Sequence, residues 1–231
     1  MILLTLFVSL CYAQKEVNRY DSNGKRHGLW TKNYKNTDQV RYEGNFVHGK
    51  EVGLFKFYKL VKGKSILSAT KDFKKDSDIV DVKFMSSKGK VISEGQMKGK
   101  AFVGKWLYYH NKFASVMTVE HYNNAGKLDG EKIIYFKDGK VAEKVTYKDG
   151  KREGKSVWYS EEGILLRESN YVNGELHGPS KFYDASGLIA SEGVFQKDRK
   201  HGIWKFYQNG KLKEEKDFTR RSKNPKLQKK Q

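Results

Sequence analysis

The sequence predicts an all-β protein, an elongated antiparallel β-meander of about eight tandem hairpin repeats of about 24 residues each. Three observations carry this expectation. Gly28, Gly53, Gly104, Gly130, Gly154, Gly178 and Gly202 recur at intervals of 25, 51, 26, 24, 24 and 24 residues, and 51 reads as two degraded repeats. Paired residues stand four and five places after six of these glycines: Phe57-Tyr58, Tyr108-Tyr109, Ile134-Tyr135, Trp158-Tyr159, Phe182-Tyr183 and Phe206-Tyr207. Asp138-Gly139, Asp149-Gly150, Asn173-Gly174 and Asn209-Gly210 are strong signals for tight hairpin turns, because primed turns need positive φ.

Within a repeat each element follows from side-chain alternation. Places two and four after the anchoring glycine lie on one face of a strand. Place two holds Trp30, Phe55, Trp106 and Trp204, but Lys132, Ser156 and Ser180 in the middle repeats. A turn at Gly139, Gly163, Gly187 or Gly210 follows, and then a glutamate four or five residues on: Glu143, Glu168, Glu192, Glu215. An aromatic comes three or four residues later, at Tyr147, Tyr171, Phe195 and Phe218. About 24 residues hold two strands and two turns. A lone hairpin is marginal in water, so the repeats must pair edge to edge. Sixteen strands about 4.8 Å apart would form a sheet roughly 75 Å long.

Composition agrees. The 231 residues include 14 Tyr, 13 Phe, 4 Trp and 22 Gly but only 2 Pro. That aromatic content argues against a mostly disordered chain. One cysteine excludes an intrachain disulfide scaffold or a cysteine-rich zinc module. No apolar run reaches the about 18 residues of a membrane-spanning helix.

Three regions are expected. Residues 1–13 read as a signal peptide: Ile2 to Tyr12 is uncharged and mostly apolar, and cleavage would follow Ala13. Leu10 precedes Cys11 where a lipoprotein wants a small residue, which disfavours lipidation. Residues 14–218 form the repeat domain, with an irregular stretch about 59–88 where the anchoring glycine is lost and Lys71 to Asp81 is charged and loop-like. Residues 219–231 form a basic flexible tail with Arg220, Arg221, Lys223, Lys226, Lys229 and Lys230 and no acid.

The run Gly24-Lys25-Arg26-His27-Gly28-Leu29-Trp30, with similar runs at Gly150 to Tyr159 and Lys200 to Tyr207, resembles the MORN repeat in its bacterial variant form. Multi-copy proteins of this kind are often grouped with the YwqK-family antitoxins. The resemblance implies a tandem hairpin fold over nearly the whole of the chain after the first segment. Lipid binding, proposed for some MORN proteins, is permitted by it.

No nucleophile-and-base constellation or phosphate-cradling loop stands out, and the repeats leave no room for a catalytic domain. No enzyme activity, cofactor or metal is expected. The repeated glutamates Glu43, Glu94, Glu143, Glu168, Glu192 and Glu215 read as a structural row on one face, paired with Lys, Arg or backbone amides. His27, His48, His177 and His201 each precede a repeat glycine and read as turn residues rather than ligands.

The aromatics are expected mainly to pack across strands, but a single sheet has two faces and some rings must stay partly exposed. A binding surface is therefore the remaining candidate, with Trp30, Trp106, Tyr108, Lys132, Trp158 and Trp204 as its residues. Loss of the bulky group at Lys132, Ser156 and Ser180 is expected to open a groove there. The chain carries 46 basic against 27 acidic side chains, a net charge of +19, which favours anionic partners. The expected function is an exported, non-enzymatic scaffold that binds a protein or cell-envelope component. Its location would be periplasmic, outer-membrane-associated or secreted. Alternatives are an antitoxin or immunity-type binder that neutralises a toxin, and a peripheral adaptor for anionic lipid. Acidic glycans are further candidate partners, whereas the export signal and the lack of a known module disfavour nucleic acid.

Overall fold

The computed structural model describes residues 16–219 apart from 112–113. Among the described residues the chain is all β-strand and turn, without helix. The chain forms two compact units. Of the described residues, the N-terminal one comprises Glu16 to Val80 together with Met85–Gly89, and the C-terminal one takes Asp81–Phe84 and those from Lys90 to Thr219, so the boundary falls within strand β6, Ile79–Met85.

The N-terminal unit runs β1 (Arg19–Tyr20), β2 (Arg26–Asn33), β3 (Val40–Val47), β4 (Lys50–Val61) and β5 (Lys64–Phe73). Each strand pairs antiparallel with the next. The C-terminal unit runs β7 (Val91–Lys98), β8 (Ala101–Tyr109), β9 (Val116–Tyr122), β10 (Gly130–Tyr135), β11 (Val141–Lys148) and β12 (Lys151–Tyr159). It continues with β13 (Leu165–Val172), β14 (Glu175–Leu176), β15 (Gly178–Tyr183), β16 (Ile189–Gln196), β17 (Arg199–Gln208) and β18 (Lys211–Asp217). Here too every pairing is antiparallel between successive strands, the short β14 and β15 both pairing with β13. This is the meander of hairpins that the glycine period predicts.

The repeat frame has a backbone cause. Each of the seven anchoring glycines has φ between +64° and +108°, a region that side chains with a Cβ enter at a cost. A register shift then recurs between places four and five, as at Phe57/Tyr58, Tyr108/Tyr109, Trp158/Tyr159 and Phe206/Tyr207. Such bulges add local twist to every hairpin. In the stretch about 59–88, β4 and β5 form a regular hairpin with the longest strand of the fold, closed by Lys62-Gly63. Strand β5 extends through Lys71 to Phe73, so the segment between strands there is confined to 74–78.

Two faces result. One, the aromatic face, carries the core. In the C-terminal unit Trp106 and Trp204 are fully buried on it, as Phe55 is in the N-terminal unit. Each lies on a glycine of the preceding strand: Phe55 on Gly44, Trp106 on Gly95 and Trp204 on Gly193, where a Cβ would overlap the ring. The indole N–H groups of Trp106 and Trp204 donate to the carbonyls of Gln96 at 2.8 Å and Val194 at 3.0 Å, which satisfies their only donor.

The opposite face carries a polar ladder. The tyrosine at place five donates to the glutamate of the preceding strand, 15 residues earlier: Tyr58 to Glu43 at 2.8 Å, Tyr207 to Glu192 at 2.7 Å, Tyr183 to Glu168 at 3.5 Å and, similarly, Tyr109 to Glu94. Lysines from adjacent strands close it: Lys56 to Glu43 at 3.1 Å, Lys83 to Glu94 at 3.0 Å and Lys155 to Glu168 at 2.5 Å. The Tyr58 hydroxyl first, and then Lys56, holds the Glu43 carboxyl below its usual range, and Tyr109 and Lys83 do the same for Glu94. Partial burial and then the glutamate push Tyr58 and Tyr109 up to about 12.

Candidate binding face of the C-terminal unit

One glutamate breaks the expected row. Glu143 follows its turn glycine by four residues, whereas Glu168 and Glu192 follow theirs by five. A one-residue shift turns a strand residue to the other face. Glu143 therefore stands opposite Ile134 and Trp158 on the aromatic face. Lys144 takes its place on the polar face and pairs with Glu131 at 2.7 Å. The other expectation, pairing with lysine, describes Glu43, Glu94, Glu168 and Glu192. The Glu143 Oε1 atom is buried and has no hydrogen-bond partner among the described residues.

On the aromatic face of β9 to β17, cations alternate with rings. Glu120 of β9 is 8% exposed, meets Lys132 of β10 at 2.8 Å and accepts from the Tyr122 hydroxyl at 2.6 Å. Burial opposes its charge, but Lys132, Tyr122 and Tyr108 together outweigh it and keep the carboxyl below its usual range. Arg152 of β12 lies 5.2 Å from the Tyr171 ring and donates to the hydroxyls of Tyr171 and Tyr147. Arg167 of β13 lies over Trp158 at 4.7 Å and Phe182 at 5.2 Å, and its Nε donates to Ser169 Oγ at 2.8 Å. Lys200 of β17 lies over Trp204 at 4.2 Å and Phe206 at 4.9 Å. Cross-strand register puts these groups on one face: Ser156 stands opposite Ser169, Trp158 opposite Arg167, and Arg167 opposite Phe182.

The residues expected to line a surface divide. Trp106 and Trp204 are 0% exposed and belong to the core, so they offer a partner no contact area. Place two faces the packed side in these repeats, where a glycine makes room for the indole. Trp30, Tyr108, Lys132 and Trp158 are half-buried. The groove expected at Ser156 and Ser180 is absent: these residues are 0% and 2% exposed. Lys132 is engaged with Glu120. Sequence reasoning passed over Arg152 and Arg167. Counting by twos from Ser156 and Trp158 across the register would have put both on the aromatic face.

The histidines also divide. Only His48 sits on a hairpin turn, with φ +48°; His27 is in β2 and His201 in β17, and His177 separates β14 from β15. Contrary to the expectation of no converging ligands, the side chains of His27 and His48 meet that of Asp21, with ligand atoms all within 4.8 Å of one another. Asp21 carries no repeat-frame label, so the spacing of histidines alone could not reveal the group.

A family model described as the MORN repeat variant matches residues 128–149, 152–173 and 200–219. The chain carries MORN repeats. The matched segments cover β10 to β11 and, apart from the first residue of β12 and of β17, β12 to β13 and β17 to β18. The intervening MORN-like hairpin of β15 and β16 keeps the same frame, with Gly178, Tyr183 and Glu192 in their repeat places. MORN repeats are typically non-catalytic modules that mediate protein or membrane interactions. Residues 1–13, expected to be a signal peptide, and the basic residues Arg220 to Lys230 of the expected tail lie outside the described residues.

Proposed function

We propose that this chain is an exported, non-enzymatic scaffold that takes a protein or cell-envelope partner along the aromatic face of β12 to β17. The observation that carries the reading is the stack of Arg167 between Trp158 and Phe182, flanked by Arg152 on Tyr171. Arginine and large aromatics are the residues enriched in the energetic centres of interfaces. Here they are held in place by their own contacts, so little side-chain entropy would be lost on binding. A face with fixed cations suits a partner that offers carboxylates or other anions at strand spacing. A toxin blocked by this chain would be one such partner.

Affinity capture from envelope extract tests the reading. The Arg152→Ala/Arg167→Ala double variant should lose the partners that the unaltered protein retains, while its circular dichroism stays that of a β protein. Equal capture by both would remove this face from the function. Export rests separately on Ile2 to Ala13 and predicts a chain recovered outside the cytoplasm with Gln14 as its first residue. N-terminal sequencing of that material checks it.

A further inference from the structure

We propose that Asp21, His27 and His48 form a site for one divalent transition-metal ion, with zinc the best fit. The three residues come from three separate segments of the N-terminal unit. Asp21 lies just after β1, His27 is the second residue of β2, and His48 is on the turn between β3 and β4. His48 Nδ1 is 2.7 Å from Asp21 Oδ2, and the two imidazole centroids are 5.2 Å apart. Two imidazoles and a carboxylate are a ligand set that zinc takes, with metal–ligand distances of about 2.0–2.2 Å. Atoms on such a tetrahedral ion stand roughly 3.3–3.5 Å apart. Small side-chain rotations would bring this group, now within 4.8 Å, to that spacing. Three protein ligands leave a fourth place for water.

The carboxylate is already oriented. The side chain of Asp21 is 9% exposed. Its Oδ1 accepts the backbone N–H groups of Asn23 and Lys25, each at 2.9 Å, which leaves Oδ2 turned to the histidines. His48 is 64% exposed at its side chain and gives an ion a way in. The adjacent Arg26 guanidinium is occupied elsewhere, 5.0 Å from the Trp30 ring and 5.1 Å from that of Phe46.

Comparison with the same niche in other repeats separates ligation from turn-building. His27 precedes Gly28 as Asp129 precedes Gly130 and Glu153 precedes Gly154. His48 precedes its turn Gly49 as Asp149 precedes Gly150 and Asn173 precedes Gly174. In those repeats the first residue's carboxylate accepts the backbone N–H of the second, at 3.2 Å for Asp129 with Asp149 and 2.8 Å for Glu153 with Asn173. Asn123, at the place of Asp21, donates to Asp149 at 2.9 Å. Oxygen-to-amide bonds thus connect consecutive turns. In the first repeat two imidazoles replace them, and His27 Nδ1 is buried with no hydrogen-bond partner among the described residues. A buried polar atom without a partner is destabilising unless something satisfies it. A metal ion on Nδ1 would do so and would join the first turn to the second.

Titration of the untagged full-length chain with cobalt(II) chloride, followed by zinc chloride, tests the site. The expected result is a visible d–d spectrum that saturates at one equivalent of cobalt and is abolished by zinc. Zinc should also raise the melting temperature, and EDTA should reverse the rise. Loss of a direct ligand should cost at least what loss of an outer partner costs, roughly 10–100-fold in affinity. His27→Ala and His48→Ala should therefore lose the spectrum and the thermal shift. Asp21→Asn, which places there the residue that the second niche already has in Asn123, should fold normally and bind more weakly. His201→Ala should bind as the unaltered chain does. Absence of both the cobalt spectrum and the zinc shift in the unaltered chain would overturn the proposal, as would an undiminished spectrum in folded His27→Ala or Asp21→Asn.

Discussion

The repeat built on Trp204 and the repeats built on Ser156 and Ser180 share one backbone frame and fill it in opposite ways. In the first, an indole covers Gly193 and is ringed by Phe182, Phe195, Phe206 and Phe218. In the others, three buried serines, Ser156, Ser169 and Ser180, stand at the same level, and guanidinium groups lie over the neighbouring rings. The first arrangement derives its stability from apolar burial. The second keeps polar, charged groups on the face where that burial would otherwise be. On the function proposed above, the indole repeats hold the array and the serine repeats present chemistry to a partner.

The largest test of this contrast is truncation at place two. Trp204→Ala should cost about 3–5 kcal/mol, the range for a buried large aromatic that leaves a cavity. Ser156→Ala, equally buried, removes one hydroxyl that donates to the Lys144 carbonyl at 3.3 Å and should cost about 1 kcal/mol. Urea unfolding of the two variants measures the difference. Similar losses would show that both repeats depend equally on place two.

Gly193→Ala sharpens the same point from the other side. Its Cβ would meet the fixed Trp204 indole, so the variant should lose about 1–3 kcal/mol through overpacking. Pairing it with Trp204→Leu should relieve part of that loss, since the two residues share one contact. Strictly additive losses in the urea midpoints would mean that the glycine serves the backbone and not the indole.

Much of this design is legible in the chain. The glycine interval gives the hairpin frame, and the positive φ of each anchoring glycine explains why the interval is kept. The tyrosine at place five and the glutamate 15 residues before it were visible as recurrent residues, though not as partners. Alternation tells which residues share a face but not which face is packed, so packing could be expected of the aromatics in general without separating buried Trp106 and Trp204 from half-buried Trp30 and Trp158. The displacement of Glu143 is present as a count of four in place of five, which residue type alone does not reveal. Asp21 with His27 and His48 could not be read from one repeat, because the group spans two turns.

A smaller effect is expected from Arg167→Met, which keeps much of the aliphatic length and removes the charge. It deletes the cation over Trp158 and Phe182 and the bond to Ser169, and should cost about 0.5–2 kcal/mol. Partner capture should fall much further than stability does. A variant that loses stability and capture in proportion would make Arg167 a structural residue of the same kind as Trp204.

The smallest effect concerns the polar face, which the Trp106 repeat keeps in its regular form and the Lys144 repeat does not. The folded-state carboxyl of Glu94 is depressed below its ordinary 4.5, by the Tyr109 hydroxyl first and Lys83 second. Its contribution is therefore complete above the ordinary value and disappears as pH falls through the lower folded one. Tyr109 is shifted the other way, from 10 up to about 12, so its contribution is complete below 10 and disappears as pH rises through about 12. Glu94→Gln should flatten the acid limb of a melting-temperature profile, and Tyr109→Phe should reduce both limbs. Lys144→Met removes a lysine whose pKa is raised by Glu131, so it should leave the acid contribution of Glu94 in place. An acid limb that survives Glu94→Gln undiminished would place the proton-linked stability of this unit outside the regular tyrosine–glutamate ladder.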